Sequence, residues 1–181
     1  MPTFLRLGIL AIPLTLGQTV GQWVHRIHLS RPLQTDRAEY VATPVEGGGQ
    51  AGRYAFTLIA RYENQTGSVL YFRHCNPRDP SPFYGVESLD STQGSAYDEV
   101  WACVGHDYPI KLARGATRVD TLRIEGPNQW DGKTYAPLGI LEGEFRLVYE
   151  VGTCERLGGG ALCLLPLADR RSNPFRVRLA H

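Results

Sequence analysis

Lysine is almost missing from this chain of 181 residues: Lys111 and Lys133 are the only two, and arginine supplies the rest of the positive charge. Nineteen basic side chains against 18 acidic ones leave a formal net charge of +1. A nucleic-acid surface calls for a basic stripe and a high pI, so this balance speaks against such a partner. The one local basic cluster, Arg170 and Arg171 followed by Arg176 and Arg178, runs into alternation with apolar residues and reads as the solvated face of a strand. Methionine is confined to Met1, which leaves a blue-copper site without its usual weak axial ligand. Catalytic signatures are missing too: there is no G-x-S-x-G elbow, no H-E-x-x-H and no P-loop. Carboxylates are scattered, with no pair spaced for glycoside chemistry. No long segment carries the 3.6-residue period of an amphipathic helix. These absences give no reason to expect an enzyme or a cofactor.

Charge is also absent from Leu7 through Val24, and Arg6 is the only charged side chain before that run. Its strongly apolar part, Leu7–Leu16, has the length of a signal-peptide core and is too short to span a bilayer alone. Thr15 and Gly17 fit the small-residue positions of a cleavage site. The alternative is an uncleaved anchor extending to Trp23, which Pro13 and the glutamines weaken. Residues 1–29 are therefore expected to direct the chain out of the cytoplasm, as a signal peptide or N-terminal anchor. The next stretch, 30–52, is polar, broken and ends in EGGGQAG, so it is expected to be a flexible lead. A short strand over Glu39–Ala42 could still pair at an edge.

From Arg53 to His181 the pattern is that of β-strands. Aromatic and branched residues fill RYAFTLIARYE, the turn residues NQTG follow, and SVLYFRHC, FYGVESL and YDEVWACV continue in kind. In TRVDTLRIE the apolar residues Val119, Leu122 and Ile124 fall out of strict alternation, which predicts a bulge near Asp120. The cleanest strands are EFRLVYEV, with Phe145, Leu147, Tyr149 and Val151 on one face, and PFRVRLA, with Phe175, Val177 and Leu179 inward. Between them CERLGGGALC reads as an extra hairpin tied at its base. Seven or eight short strands with Gly/Pro punctuation predict an all-β, antiparallel, immunoglobulin-like β-sandwich. Apolar content of 43% is enough for its core.

Three stretches of the later half, RGATRVDTL, GEFRLVYEV (Gly143 to Val151) and SNPFRVRL (Ser172 to Leu179), resemble bacterial extracytoplasmic immunoglobulin-like domains. Those include domains similar to the intracellular proteinase inhibitor family. The likeness covers about the last third of the chain. It implies a sandwich fold and, as an alternative function, proteinase inhibition; it carries over no binding residue.

Four cysteines, Cys75, Cys103, Cys154 and Cys163, form an even set with no C-x-x-C spacing. If consecutive strands alternate in direction, all four fall at one pole together with His74 and His106. Two disulfides follow, Cys75–Cys103 with Trp101 beside it and Cys154–Cys163. Loop closure makes them worth roughly 3.5 and 2.5 kcal/mol. The alternative at that pole is a zinc or copper site of His74, Cys103 and His106. The pair His25 and His28 is a weaker candidate of the same kind. The other pole carries a long connection, Gly126 to Gly139, with Trp130 and Tyr135, whose rings suit a protein or carbohydrate partner. Phe83 and Tyr84, at the cysteine end, are further aromatic candidates. Each ring could equally fold back over the core.

Overall fold

The structure, a computed structural model, describes residues 31–46, 52–74, 81–90, 92–97, 108–127, 139–155 and 163–180. The chain divides into two units, Met1–Ser30 and Arg31–His181, and the second holds every described element. Its strands are β1 (Leu33–Thr35), β2 (Glu39–Pro44), β3 (Tyr54–Glu63), β4 (Leu70–Phe72), β5 (Tyr84–Ser88), β6 (Ile110–Leu112), β7 (Thr117–Gly126), β8 (Gly143–Tyr149), β9 (Val151–Gly152) and β10 (Phe175–Leu179). One helical turn, α1 (Leu167–Arg170), precedes β10.

Two layers face each other, as the alternating sequence requires. In the first, β3 pairs along its whole length with β7, from Tyr54 opposite Gly126 to Glu63 opposite Thr117. The far edge of β3 is shared end to end by β1, at Leu33 opposite Tyr62, and by β2, at Thr43 opposite Ala55. Between those contacts the chain swings across to the second layer, where β2 runs parallel to β10 from Glu39 to Ala42. The swing is pinned at Asp36, whose carboxylate accepts from the Ile59 N–H (2.8 Å) and the Tyr40 hydroxyl (2.7 Å). From β10 the second layer continues antiparallel through β8 to β5, and β9, β4 and β6 form a separate three-stranded sheet in the order β6-β4-β9. The inward residues Phe56, Leu58, Ala60 and Tyr62 of β3 meet Phe175, Tyr149 and Phe72 from the other layer. The result is an all-β, immunoglobulin-like sandwich.

Three expectations need correction. Residues 30–52 are not simply a flexible lead: β1 and β2 lie there, and Leu33, Tyr40 and Ala42 are buried in the core. The body begins near Arg31, not Arg53. Second, β7 has no bulge; its ten residues pair one to one with β3. Val119 points outward at 61% exposed, and Asp120 points inward at 8%. Alternation is unbroken once a carboxylate is allowed inside.

Third, SVLYFRHC and FYGVESL are not two antiparallel strands but two lengths of one. Phe72 lies opposite Val151 and Tyr84 opposite Tyr149, so both β4 and β5 run against the continuous β8–β9 line. Arg73 and Phe83 meet at the interruption: the Phe83 N–H donates to the Arg73 carbonyl at 2.8 Å, and the Glu150 N–H to that of Phe83 at 3.0 Å. The chain thus leaves this line after Arg73 and rejoins it at Phe83. The expected strand YDEVWACV lies, after Tyr97, outside the described residues.

Candidate functional site

Because β4 and β5 run along one line, His74 and Cys154 are not brought to one pole as expected. β4 and β9 run in opposite directions, with Tyr71 opposite Gly152. His74 therefore follows one end of that ladder and Cys154 the other. Cys75, Cys103 and His106 lie outside the described residues, as do His25 and His28. Of the alternative metal set only His74 is placed. It is 7% exposed, its carbonyl accepts from the Tyr108 N–H at 3.0 Å, and its ring lies 5.9 Å from that of Tyr108. Among the described residues no three His, Cys, Asp or Glu side chains gather as metal ligands would.

The second disulfide is present. Cys154 and Cys163 are bonded at 2.10 Å with Cα atoms 5.5 Å apart. They tie the base of the expected hairpin, where the Thr153 N–H donates to the Cys163 carbonyl (2.9 Å) and the Leu165 N–H to that of Val151 (3.0 Å). Gly152 has to be glycine, because a Cβ there would sit 2.2 Å from the Cys163 carbonyl oxygen. Lys111 reaches the Glu155 carboxylate at 2.8 Å beside this base.

The aromatic candidates divide. Phe83 and Tyr84 are buried and do not offer their rings to a partner. The Arg73 guanidinium lies 5.6 Å from the Phe83 ring centre, and the Tyr84 hydroxyl donates to the Arg123 carbonyl at 3.3 Å. Trp130 and Tyr135 lie outside the described residues, but the two feet of their connection are described. Both bear on the segment Thr92–Tyr97. The Tyr97 ring is fully buried, edge-on to Phe56 at 5.2 Å and Phe145 at 5.6 Å. Its hydroxyl donates to the Leu141 carbonyl at 2.8 Å. Burial raises its pKa, and the Glu142 carboxylate adds to this.

Sequence reasoning missed the buried polar cluster between the layers. Asp120 accepts from Arg118 Nε at 2.8 Å and from the Tyr149 hydroxyl at 3.0 Å. Burial, then the Asp120 charge, holds the Tyr149 phenol well above its ordinary pKa. The Arg118 guanidinium also lies 5.5 Å from the Phe72 ring centre. The carboxylate thus accepts from both β7 and β8 and joins the two strands. The SNP motif is structural as well. The Ser172 hydroxyl accepts from the Leu147 N–H (3.0 Å), and the Asn173 side-chain carbonyl from the Thr35 N–H (2.8 Å). Asn64 is 1% exposed, and its amide donates to the carbonyls of Ser68, Leu112 and Ala113.

Among the described residues no helix is long and apolar enough to cross a membrane. Comparison of the chain with protein-family models, with curated proteins and with solved structures returns no match.

Proposed function

We propose that this chain is an exported, disulfide-stabilised binding or structural module with no catalytic activity of its own. The observation that carries the reading is the Cys154–Cys163 bond closing the β9 hairpin, since such bonds persist in oxidising compartments. The uncharged run Leu7–Val24 supports export. A described interior whose titratable groups are engaged in packing supports a scaffold. Recognition is assigned to Trp130 and Tyr135, on the connection that the scaffold holds at both feet, with a protein or carbohydrate as partner. Two experiments test this. A thiol count on folded, non-reduced protein should find Cys154 and Cys163 unreactive; finding both reactive overturns the compartment. A glycan array and a cell-envelope protein pull-down, each run beside Trp130→Ala, should show a partner that the variant loses.

Proteinase inhibition is the second reading. The stretch 74–82, between the bonded Arg73 and Phe83, favours it, because a loop fixed at its base can be presented to a cleft at little entropic cost. Failure to slow any member of a broad protease panel removes it. A zinc or copper site of His74, Cys103 and His106 is tested by metal analysis of non-reduced protein.

A further inference from the structure

The turn after β3 carries a modification signal that the fold has put to another use. Asn64, Gln65 and Thr66 spell N-Q-T, the only N-x-[ST] triplet in the sequence. Oligosaccharyl transferases modify the asparagine of such a triplet, whose usual place is a surface loop. Asn64 is instead 1% exposed. Its side-chain carbonyl accepts from the Thr66 N–H at 3.0 Å and from the Thr66 hydroxyl at 2.7 Å. That fixes which way the amide points. Nδ2 faces inward and donates to the carbonyls of Ser68 at 2.8 Å, Leu112 at 3.1 Å and Ala113 at 3.1 Å. The main chain is engaged as well: the Asn64 N–H donates to the Ala116 carbonyl (2.9 Å), and its carbonyl accepts from the Gly115 N–H (3.0 Å). One residue thus ties the end of β3 to the turn that joins β6 to β7.

We infer that Asn64 is a glycosylation site of the unfolded chain alone, and that a glycan there and the native fold exclude each other. Transfer from a lipid-diphosphate-linked oligosaccharide forms a bond between sugar C1 and Nδ2. The bond from C1 to the diphosphate breaks, the lipid diphosphate leaves, and one amide hydrogen departs as a proton. The product keeps a single N–H where the free amide has two. Its sugar would have to occupy the space of carbonyl oxygens that lie 2.8 to 3.1 Å from the nitrogen. An interior packed at crystal density has no room for it. The order of events then decides the outcome. A chain that closes this turn first is out of the transferase's reach. A chain modified first cannot close it, and its buried carbonyls lose their donor. The compartment that forms the Cys154–Cys163 bond must therefore spare Asn64 until the turn has closed. The exclusion itself does not rest on the export reading, because its test supplies the compartment.

The test directs the full chain into the secretory pathway of a glycosylating eukaryotic host, beside a variant that cannot fold. Phe145→Asp serves as that variant, since Phe145 is fully buried and an unpaired charge in the core prevents folding. Enzymatic release of glycans in heavy-oxygen water converts each modified Asn64 to a labelled aspartate, which mass spectrometry counts. Limited proteolysis sorts folded from unfolded molecules. Phe145→Asp should carry a glycan at Asn64. Protease-resistant molecules of the unsubstituted chain should carry none, and any glycan on that chain should be confined to its protease-sensitive fraction. A protease-resistant molecule glycosylated at Asn64 overturns the exclusion. So does a protease-sensitive chain, of either sequence, that stays unmodified.

Discussion

Asp120 shows how much one side chain can decide. It is a carboxylate on the inward face of β7, and its Oδ2 accepts both from the Arg118 guanidinium of its own strand and from the Tyr149 phenol of β8. Removing one partner of a buried pair leaves the other desolvated and uncompensated. Asp120→Ala is therefore expected to cost about 3 kcal/mol in urea denaturation. Val119→Asp, one residue away on the solvent side, should change stability by less than about 0.5 kcal/mol. Equal losses for the two variants would contradict the facing of β7. Sequence pattern alone placed this pair wrongly, because a charged residue counts as a solvent-facing one until its partners are seen. Asn64 escaped for a related reason. The turn composition NQTG announced a turn, but not that one amide would collect three carbonyls.

At the level of elements, what was legible follows from periodicity. β8 and β10 were readable because their apolar residues alternate without exception, and the CERLGGGALC hairpin because a bond across its base was the economical use of two nearby cysteines. The β4–β5 line was not readable. Nothing local distinguishes a hairpin turn from an excursion that returns to the same strand, and only the partner strand records the difference. Because Arg73 and Phe83 lie against the same Glu150, deleting residues 74–83 should splice Arg73 directly to Tyr84 with every face preserved. The shortened chain should keep its strand content by circular dichroism, with stability reduced by about 2 kcal/mol for the lost Phe83 packing beside the roughly 3.5 kcal/mol of the expected Cys75–Cys103 bond, which the deletion also removes. Loss of the cooperative transition would show that β4 and β5 need the excursion to align. The same misreading carried into the site, since counting one strand too many put His74 and Cys154 at one pole.

For the whole molecule, tyrosine is the residue type that ties fold to solution behaviour. Tyr40, Tyr62, Tyr97 and Tyr149 are buried, and all four phenols are shifted up, Tyr40 to about 12. Burial is the main cause in each case. An unfolded tyrosine titrates at about 10, so each native phenol resists a proton loss that the unfolded chain accepts. That contribution to stability is complete below pH ~10 and disappears as the pH climbs from there through the folded values. Melting temperature should therefore hold on the neutral side and fall steeply above pH ~10, with part of the phenolate absorbance appearing only as the protein unfolds. Free titration of all nine tyrosines in the folded protein would contradict the packing. The sandwich class was legible at this scale because strand number and punctuation suffice for it. The partner was not, because the residues proposed to recognise it, Trp130 and Tyr135, lie outside the described residues.

The crossing of β2 has a consequence for how the chain becomes a protein. β2 lies at residues 39–44 and its parallel neighbour β10 at 175–179, so an early strand waits for a late one. Loop closure over that separation is among the slow steps of folding. Until β10 has been synthesised, β2 has only its short contact with β3 and the second layer lacks its middle strand. The nascent polypeptide thus cannot lock prematurely. It stays pliable through synthesis and sets only when its closing strand arrives.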